Sequence, residues 1–164
     1  MQKANHLQAN WRNTAFFLIA LLIVITDQLS KLWIRSNLAI GDSVFELGFF
    51  RLIHISNTGA AFGIFRGHTL PLTIISCVGV VFLLLYSFLS YRQFPQLDRW
   101  ASWTGLGLIL GGTIGNLIDR LRLGYVTDFI DFGFWPAFNV ADSAIVIGVI
   151  IFVFSLLLLT RATK

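Results

Sequence analysis

Four apolar stretches dominate this chain, and each is near the ~20 residues that cross ~30 Å of hydrocarbon at ~1.5 Å per helical residue. They cover about residues 14–36, 70–91, 102–121 and 139–160. The second and fourth are almost free of polar residues, whereas the first and third carry charges toward their C-terminal ends. The fold class that follows is an all-α membrane protein of four transmembrane helices, with residues 1–164 forming one domain. Only 12% of residues are charged and 56% are hydrophobic, against roughly 25% charged in soluble domains. The sixteen Phe and five Trp suit lipid contact and interfacial belts.

Lys3 and Arg12 precede the first stretch as in a signal peptide. Residues 15–25 offer no small-x-small cleavage site, however, and lead straight into Thr26, Asp27 and Gln28. The segment therefore reads as a retained span. A net charge of +4 comes from scattered bases, which gives a nucleic-acid partner no patch to bind. Cys77, the single cysteine, excludes a disulfide within the chain and reads as a small hydrophobe.

An even number of spans puts both termini on one side. Positive charge does not choose the side. Lys3, Arg12, Arg92, Arg99, Arg161 and Lys164 lie on one, and Lys31, Arg35, Arg51, Arg66, Arg120 and Arg122 on the other. Termini inside is the expectation, because Lys31 and Arg120 look committed to intramembrane partners. Residues 37–69 are too polar to span and too long for a simple turn. Residues 44–55, rich in Phe, Leu and Ile between Gly41 and Asn57, suit a short β-hairpin or cradle on the membrane surface. The following N-T-G-A-A-F-G, residues 57–63, is either a plain turn or a place where backbone approaches a ligand. Residues 92–100, with Pro95, read as a connector.

Carboxylates beside hydrocarbon are costly and mark functional sites. Asp128, Asp131 and Asp142 flank the start of the last span, in a chain with eight acidic residues. Asp27 and Lys31, four apart on the first helix, share a face and can pair, either for structure or within the site. On the third helix Gly107, Gly111 and Gly115 form a small-residue seam. Gly112, Asn116 and Arg120 form a polar stripe facing the interior. Asp119, Arg120 and Arg122 equally suit a membrane-surface marker. Asn139 and Asp142 are spaced as an N-cap and its N3 acid, so a capping pair and a catalytic role are both open. Two carboxylates at a membrane edge can form an aspartic dyad for peptide hydrolysis, with one protonated and one ionised. They can also bind a transported cation, with Asp27 and Asp142 as coupling sites. A metal site using His54 or His68 ranks last, since neither has a partner at ligand spacing.

Five blocks in order carry a resemblance. They are D-Q-L-S-K (27–31), N-T-G-A-A-F (57–62), G-G-T-I-G-N-L-I-D-R (111–120), V-T-D-F-I (126–130) and F-N-V-A-D-S (138–143). The chain resembles the lipoprotein signal peptidases, or signal peptidase II, a family of bacterial inner-membrane aspartic proteases. The resemblance implies catalysis by Asp128 and Asp142, and substrate positioning by Asn57, Gly59, Asn116, Arg120 and Asn139. It implies a supporting role for Asp27 and Lys31, and neither metal nor cofactor. The implied substrate is a prolipoprotein already carrying diacylglycerol, cut just before the lipidated cysteine. The implied setting is the cytoplasmic membrane, with termini inside, the site near the outer face, membrane lipids around it and the chain acting as a monomer. The family fold adds an extracytoplasmic β-cradle and a short amphipathic helix on the outer face. The segment between Asp128 and Asn139 is short for that family, which bears on the cover over the site. Asp131 rivals Asp128 on composition. If the segment is helical both share a face; if it is extended they point to opposite faces. The V-T-D-F-I match selects Asp128.

Overall fold

Hydrocarbon offers backbone amides no partner, so a spanning segment must close its hydrogen bonds within itself. The computed structural model describes residues 2–59, 67, 69–93 and 100–162. Its helices are α1 (Gln2–Asn37), α2 (Thr69–Gln93), α3 (Trp100–Leu123) and α4 (Val140–Ala162). The stretches long and apolar enough to cross a membrane are Trp11–Asn37, Thr69–Leu89, Trp100–Leu123 and Val140–Leu158. Helix α1 starts well before the expected residue 14, because residues 2–10 contain no Gly or Pro to stop it. Helix α4 starts at Val140, with Asn139 as its cap rather than its first residue. Of the expected connector 92–100, Arg92 and Gln93 belong to α2 and Trp100 to α3, and residues 94–99 lie outside the described residues, as do Ala60–Phe62 and His68.

Helix α3 is the most buried span and packs against the other three. Phe16 and Ala20 of α1 join Trp103, Leu106 and Leu110 of α3 in one cluster, where Phe16 and Trp103 meet edge to face at 5.9 Å. The glycines of α3 serve both neighbours, the expected seam facing α1 and a second set facing α4. Gly107 and Gly111 lie against α1 at Phe16 and Ala20, and Gly105 and Gly112 against α4 at Gly148 and Ala141. The outward faces of the helices carry exposed Leu21, Leu22, Val81, Phe82, Ile150 and Phe154, as lipid contact requires. Cys77 is exposed on α2.

One end of the bundle carries a three-stranded antiparallel sheet in the order β1-β2-β3: β1 (Ser43–Leu47), β2 (Phe50–Asn57) and β3 (Val126–Asp131). The hairpin β1–β2 matches the expected cradle. Of the two readings of the segment around Asp128, helical or extended, the third strand has the extended one. Helix α3 ends where Gly124 takes a φ of 77° and its N–H reaches the Arg120 carbonyl at 3.1 Å. The chain then turns directly into β3, which pairs Asp128 with Ile55 and Asp131 with Arg51.

Candidate active site

The site forms where the C-terminal end of α3, strand β3 and the first turn of α4 meet. The α4 cap is reciprocal. The Asp142 N–H donates to Asn139 Oδ1 (2.9 Å), and the Asn139 N–H donates to Asp142 Oδ2 (3.3 Å). Capping uses one side of the Asp142 carboxylate. Its other oxygen, Oδ1, accepts from Asn116 Nδ2 at 2.7 Å. The two readings of the Asn139–Asp142 spacing are therefore compatible: the cap aims the acid.

Asp128 is 2% exposed and accepts at both oxygens, from Asn139 Nδ2 (2.7 Å) and Asn57 Nδ2 (2.8 Å). Asn57 is itself aimed by the Gly59 N–H, which donates to its Oδ1 at 2.8 Å and leaves the amide nitrogen facing Asp128. Gly59 thus contributes a backbone donor, so residues 57–59 are more than a plain turn. Burial pushes the Asp128 carboxyl up to about 7, and the charge of Asp142 pushes the same way against the Asn57 and Asn139 hydrogen bonds and the Lys31 charge.

Asp128 and Asp142 border one cavity of about 790 Å³, together with Asn57, Gly59, Asn116 and Arg120. Its remaining wall is mostly apolar, with Ile55, Val126, Trp135 and Phe138 near the sheet and Val146 and Ile147 on α4. Val146 and Ile147 are more than half exposed on a membrane-crossing helix, so the cavity runs out to the lipid-facing surface. Arg120 reaches from the cavity toward α2, with Nη1 3.5 Å from Ser76 Oγ.

Asp131 lies three residues beyond Asp128 in an extended strand, so its side chain points to the opposite face. There it meets Arg51 Nε at 2.5 Å and accepts the Gly133 N–H at 2.8 Å. Burial works to raise its carboxyl, but the Gly133 and Arg51 interactions outweigh that and hold it below the usual carboxylate range.

Behind the cavity is a network that spacing did not reveal. Lys31 Nζ contacts Asp27 Oδ2 (2.9 Å), Asn116 Oδ1 (2.9 Å) and Asp119 Oδ2 (3.3 Å). Asp119 is no surface marker: it is 1% exposed, accepts the Thr127 N–H at 3.0 Å and faces Arg35 Nη1 at 3.3 Å. Arg122, by contrast, is exposed. Asp27 Oδ1 accepts the Ala141 N–H at 3.0 Å. The two acids therefore hold the residues next to Asp128 and Asp142. A methyl group on Gly115 would come within 2.6 Å of Asp27 Oδ2, so glycine is needed for this approach. Among the described residues no three His, Cys, Asp or Glu are grouped to hold a metal ion, and His54 Nδ1 is engaged with the Leu38 carbonyl at 2.8 Å.

A family model described as signal peptidase (SPase) II matches residues 19–158. This chain belongs to the signal peptidase II family. Lipoprotein signal peptidases of Dehalococcoides mccartyi and Moorella thermoacetica are 52% and 48% identical to it, over 85% and 87% of this chain and 86% and 93% of theirs. Two solved bacterial membrane enzymes, both determined by the in meso method, superpose with TM-scores of 0.81 and 0.73 at 34% and 35% identity. They cover 91% and 87% of this chain and 91% and 92% of their own. A signal peptidase II is a multi-pass membrane peptidase, and the transporter alternative is set aside. The geometry agrees: Asp27 is occupied by Lys31 and the Ala141 N–H rather than joined to Asp142.

Proposed function

We propose that this chain is an aspartic endopeptidase in which Asp128 and Asp142 hydrolyse the peptide bond before a diacylglyceryl-modified cysteine of a prolipoprotein. The observation that carries this reading is a cavity bordered by both carboxylates and continued onto the lipid-facing side of α4. A substrate anchored by acyl chains lies in the bilayer plane and reaches a surface-level dyad from the side. The apolar wall takes its chains, while Asn57, Asn116 and Arg120 supply polar contacts around the peptide; Asn139, fully buried and absent from the cavity wall, instead holds Asp128 and Asp142 from behind.

Asp142 stands in the first turn of α4, where the helix end favours negative charge. Asp128, raised to about 7, carries the proton. In the reaction Asp142 takes a proton from water while Asp128 donates its own toward the scissile carbonyl oxygen. Water oxygen bonds to the carbonyl carbon, giving a tetrahedral diol. Its collapse breaks the C–N bond, moves a proton from Asp142 to the leaving amine and returns one to Asp128. One water is consumed, and one carboxyl and one amine are released.

The test is cleavage by purified protein in detergent, with no ion gradient. A diacylated prolipoprotein should be cut, and the same polypeptide without acyl chains should show kcat/KM at least about 100-fold lower, since burying each CH₂ contributes ~0.8 kcal/mol. Equal rates on both would refute the lipid-anchored substrate. Because only protonated Asp128 can donate, kcat/KM should be lost as pH rises through about 7, the position to which burial and Asp142 push it. Above that it should fall about tenfold per pH unit. A flat profile from pH 6 to 9 would take the proton away from Asp128. Asp131→Asn should keep at least about half of the wild-type rate at equal protein level, because its partners Arg51 and Gly133 are outside the cavity. An inactive Asp131→Asn variant would move the acid three residues along the strand.

We also propose that the dyad faces the outside and the termini the cytoplasm. Lys31 is fully buried and Arg120 borders the cavity, so two of the six bases on the dyad side are not loop charges. That tips the charge bias toward the side of the termini. Reporters after Lys164 or within residues 92–100 should read cytoplasm, and reporters within residues 37–69 the outer side. The inverse pattern contradicts the assignment.

A further inference from the structure

We propose that Lys31, which touches no reacting atom, is a positioning residue that holds the Asn116 carboxamide with its NH₂ group facing Asp142. The inference rests on Asp128 and Asp142 being the catalytic pair. A carboxamide can present either its oxygen or its NH₂ group by a half-turn, and its partners decide which. An ammonium only donates, so the Asn116 atom 2.9 Å from Lys31 Nζ must be the oxygen. Asn116 Nδ2 is thereby left to face Asp142 Oδ1 at 2.7 Å. The same Asn116 oxygen accepts from Asn139 Nδ2 at 3.2 Å, and that nitrogen also donates to Asp128 Oδ1 at 2.7 Å. Asn139 Oδ1, on the far side of its amide, takes the Asp142 N–H at 2.9 Å. The ammonium thus fixes the Asn116 carboxamide, the Asp142 N–H fixes that of Asn139, and both carboxylates meet N–H groups rather than carbonyl oxygens.

The ammonium cannot swing away from this task. It is fully buried, hydrogen-bonded to Asn116 and ion-paired with Asp27 and Asp119. Without it the Asn116 oxygen keeps only the 3.2 Å contact from Asn139 Nδ2, so the carboxamide facing Asp142 is held less firmly and the dyad loses a single defined geometry. Substrate contacts at the cavity mouth, such as Arg120 and the α4 wall, are unaffected. The expected signature is a loss in kcat with KM preserved.

Removing Lys31 alone also strands the charge of Asp27, so the test uses an Asp27→Asn background. Asp27→Asn/Lys31→Met should fold, bind diacylated substrate with KM within about threefold of wild type, and lose about 100-fold in kcat, the scale of a misplaced catalytic group. Asp27→Asn/Lys31→Gln returns an uncharged N–H donor and should recover at least about tenfold of that loss. Wild-type kcat in both double variants, or equal loss in both, overturns the proposal. Failure of both to fold assigns Lys31 to the fold alone and overturns it too. A wild-type protein that cleaves no lipoprotein refutes the proposed function instead, whatever these variants do.

Discussion

If the proposed dyad is correct, Asp128→Asn and Asp142→Asn are each expected to lower kcat/KM on a diacylated substrate by about 10³-fold, within the ~10²–10⁴ that positioned acid–base groups supply. The double variant falls no more than about threefold further, because a proton donor is useless without its base and the two act as a unit. Each asparagine also places an NH₂ group against existing donors. Asp128 accepts from Asn57 and Asn139, and Asp142 from Asn116 and the Asn139 N–H. Each change therefore costs about 1–3 kcal/mol of stability through one unmade hydrogen bond, so rates must be scaled to folded protein. A single variant keeping more than about a tenth of the activity, a ~1.4 kcal/mol effect, contradicts the shared mechanism.

Gly112→Leu is expected to destabilise the fold and to lose activity. A side chain at Gly112 would run into the carbonyl of Ala141 and, at 2.7 Å, Ile145 Cγ1. Backbone cannot yield as a flexible side chain can, and Ala141 is the neighbour of Asp142 in the first turn of α4. Overpacking typically costs about 1–3 kcal/mol, and here it also pushes the cap and the dyad apart. A melting temperature in detergent lower by roughly 5 °C or more is expected. Gly79→Leu on α2 is the control: nothing lies within 4 Å of it, and leucine is a better helix former by up to ~1 kcal/mol. Equal melting temperatures for the two variants would show that α3 and α4 do not cross closely at Gly112.

The spans were legible in the sequence because lipid imposes a length and a polarity that local composition must meet. The hairpin was legible for a similar reason, as an apolar run between turn residues. Strand β3 was not. Its six residues, V-T-D-F-I-D, carry two acids and no surface alternation. They are buried because α3, α4 and β2 surround them, a tertiary fact. The pairing of Asp27 with Lys31 could be read from a spacing of four. The partnership of Lys31 with Asn116 and Asp119 could not, since it bridges 85 residues or more. Asp119 illustrates the point: beside Arg120 and Arg122 near a helix end it reads as a surface acid, yet Thr127 and Lys31 bury it. Spacing left Asp131 and Asp128 as rivals. The strand separates them by putting three-apart residues on opposite faces, with Arg51 waiting on one.

The most direct measurement is the mass of the products when purified protein in detergent is given a diacylated prolipoprotein. Wild type should yield an intact signal peptide with a free carboxylate and a mature chain whose first residue is the lipidated cysteine. The Asp128→Asn and Asp142→Asn proteins, folded and equal in amount, should leave the substrate whole. Cleavage at that same bond by either variant at the wild-type rate, or no cleavage by wild type, would contradict a dyad of Asp128 and Asp142.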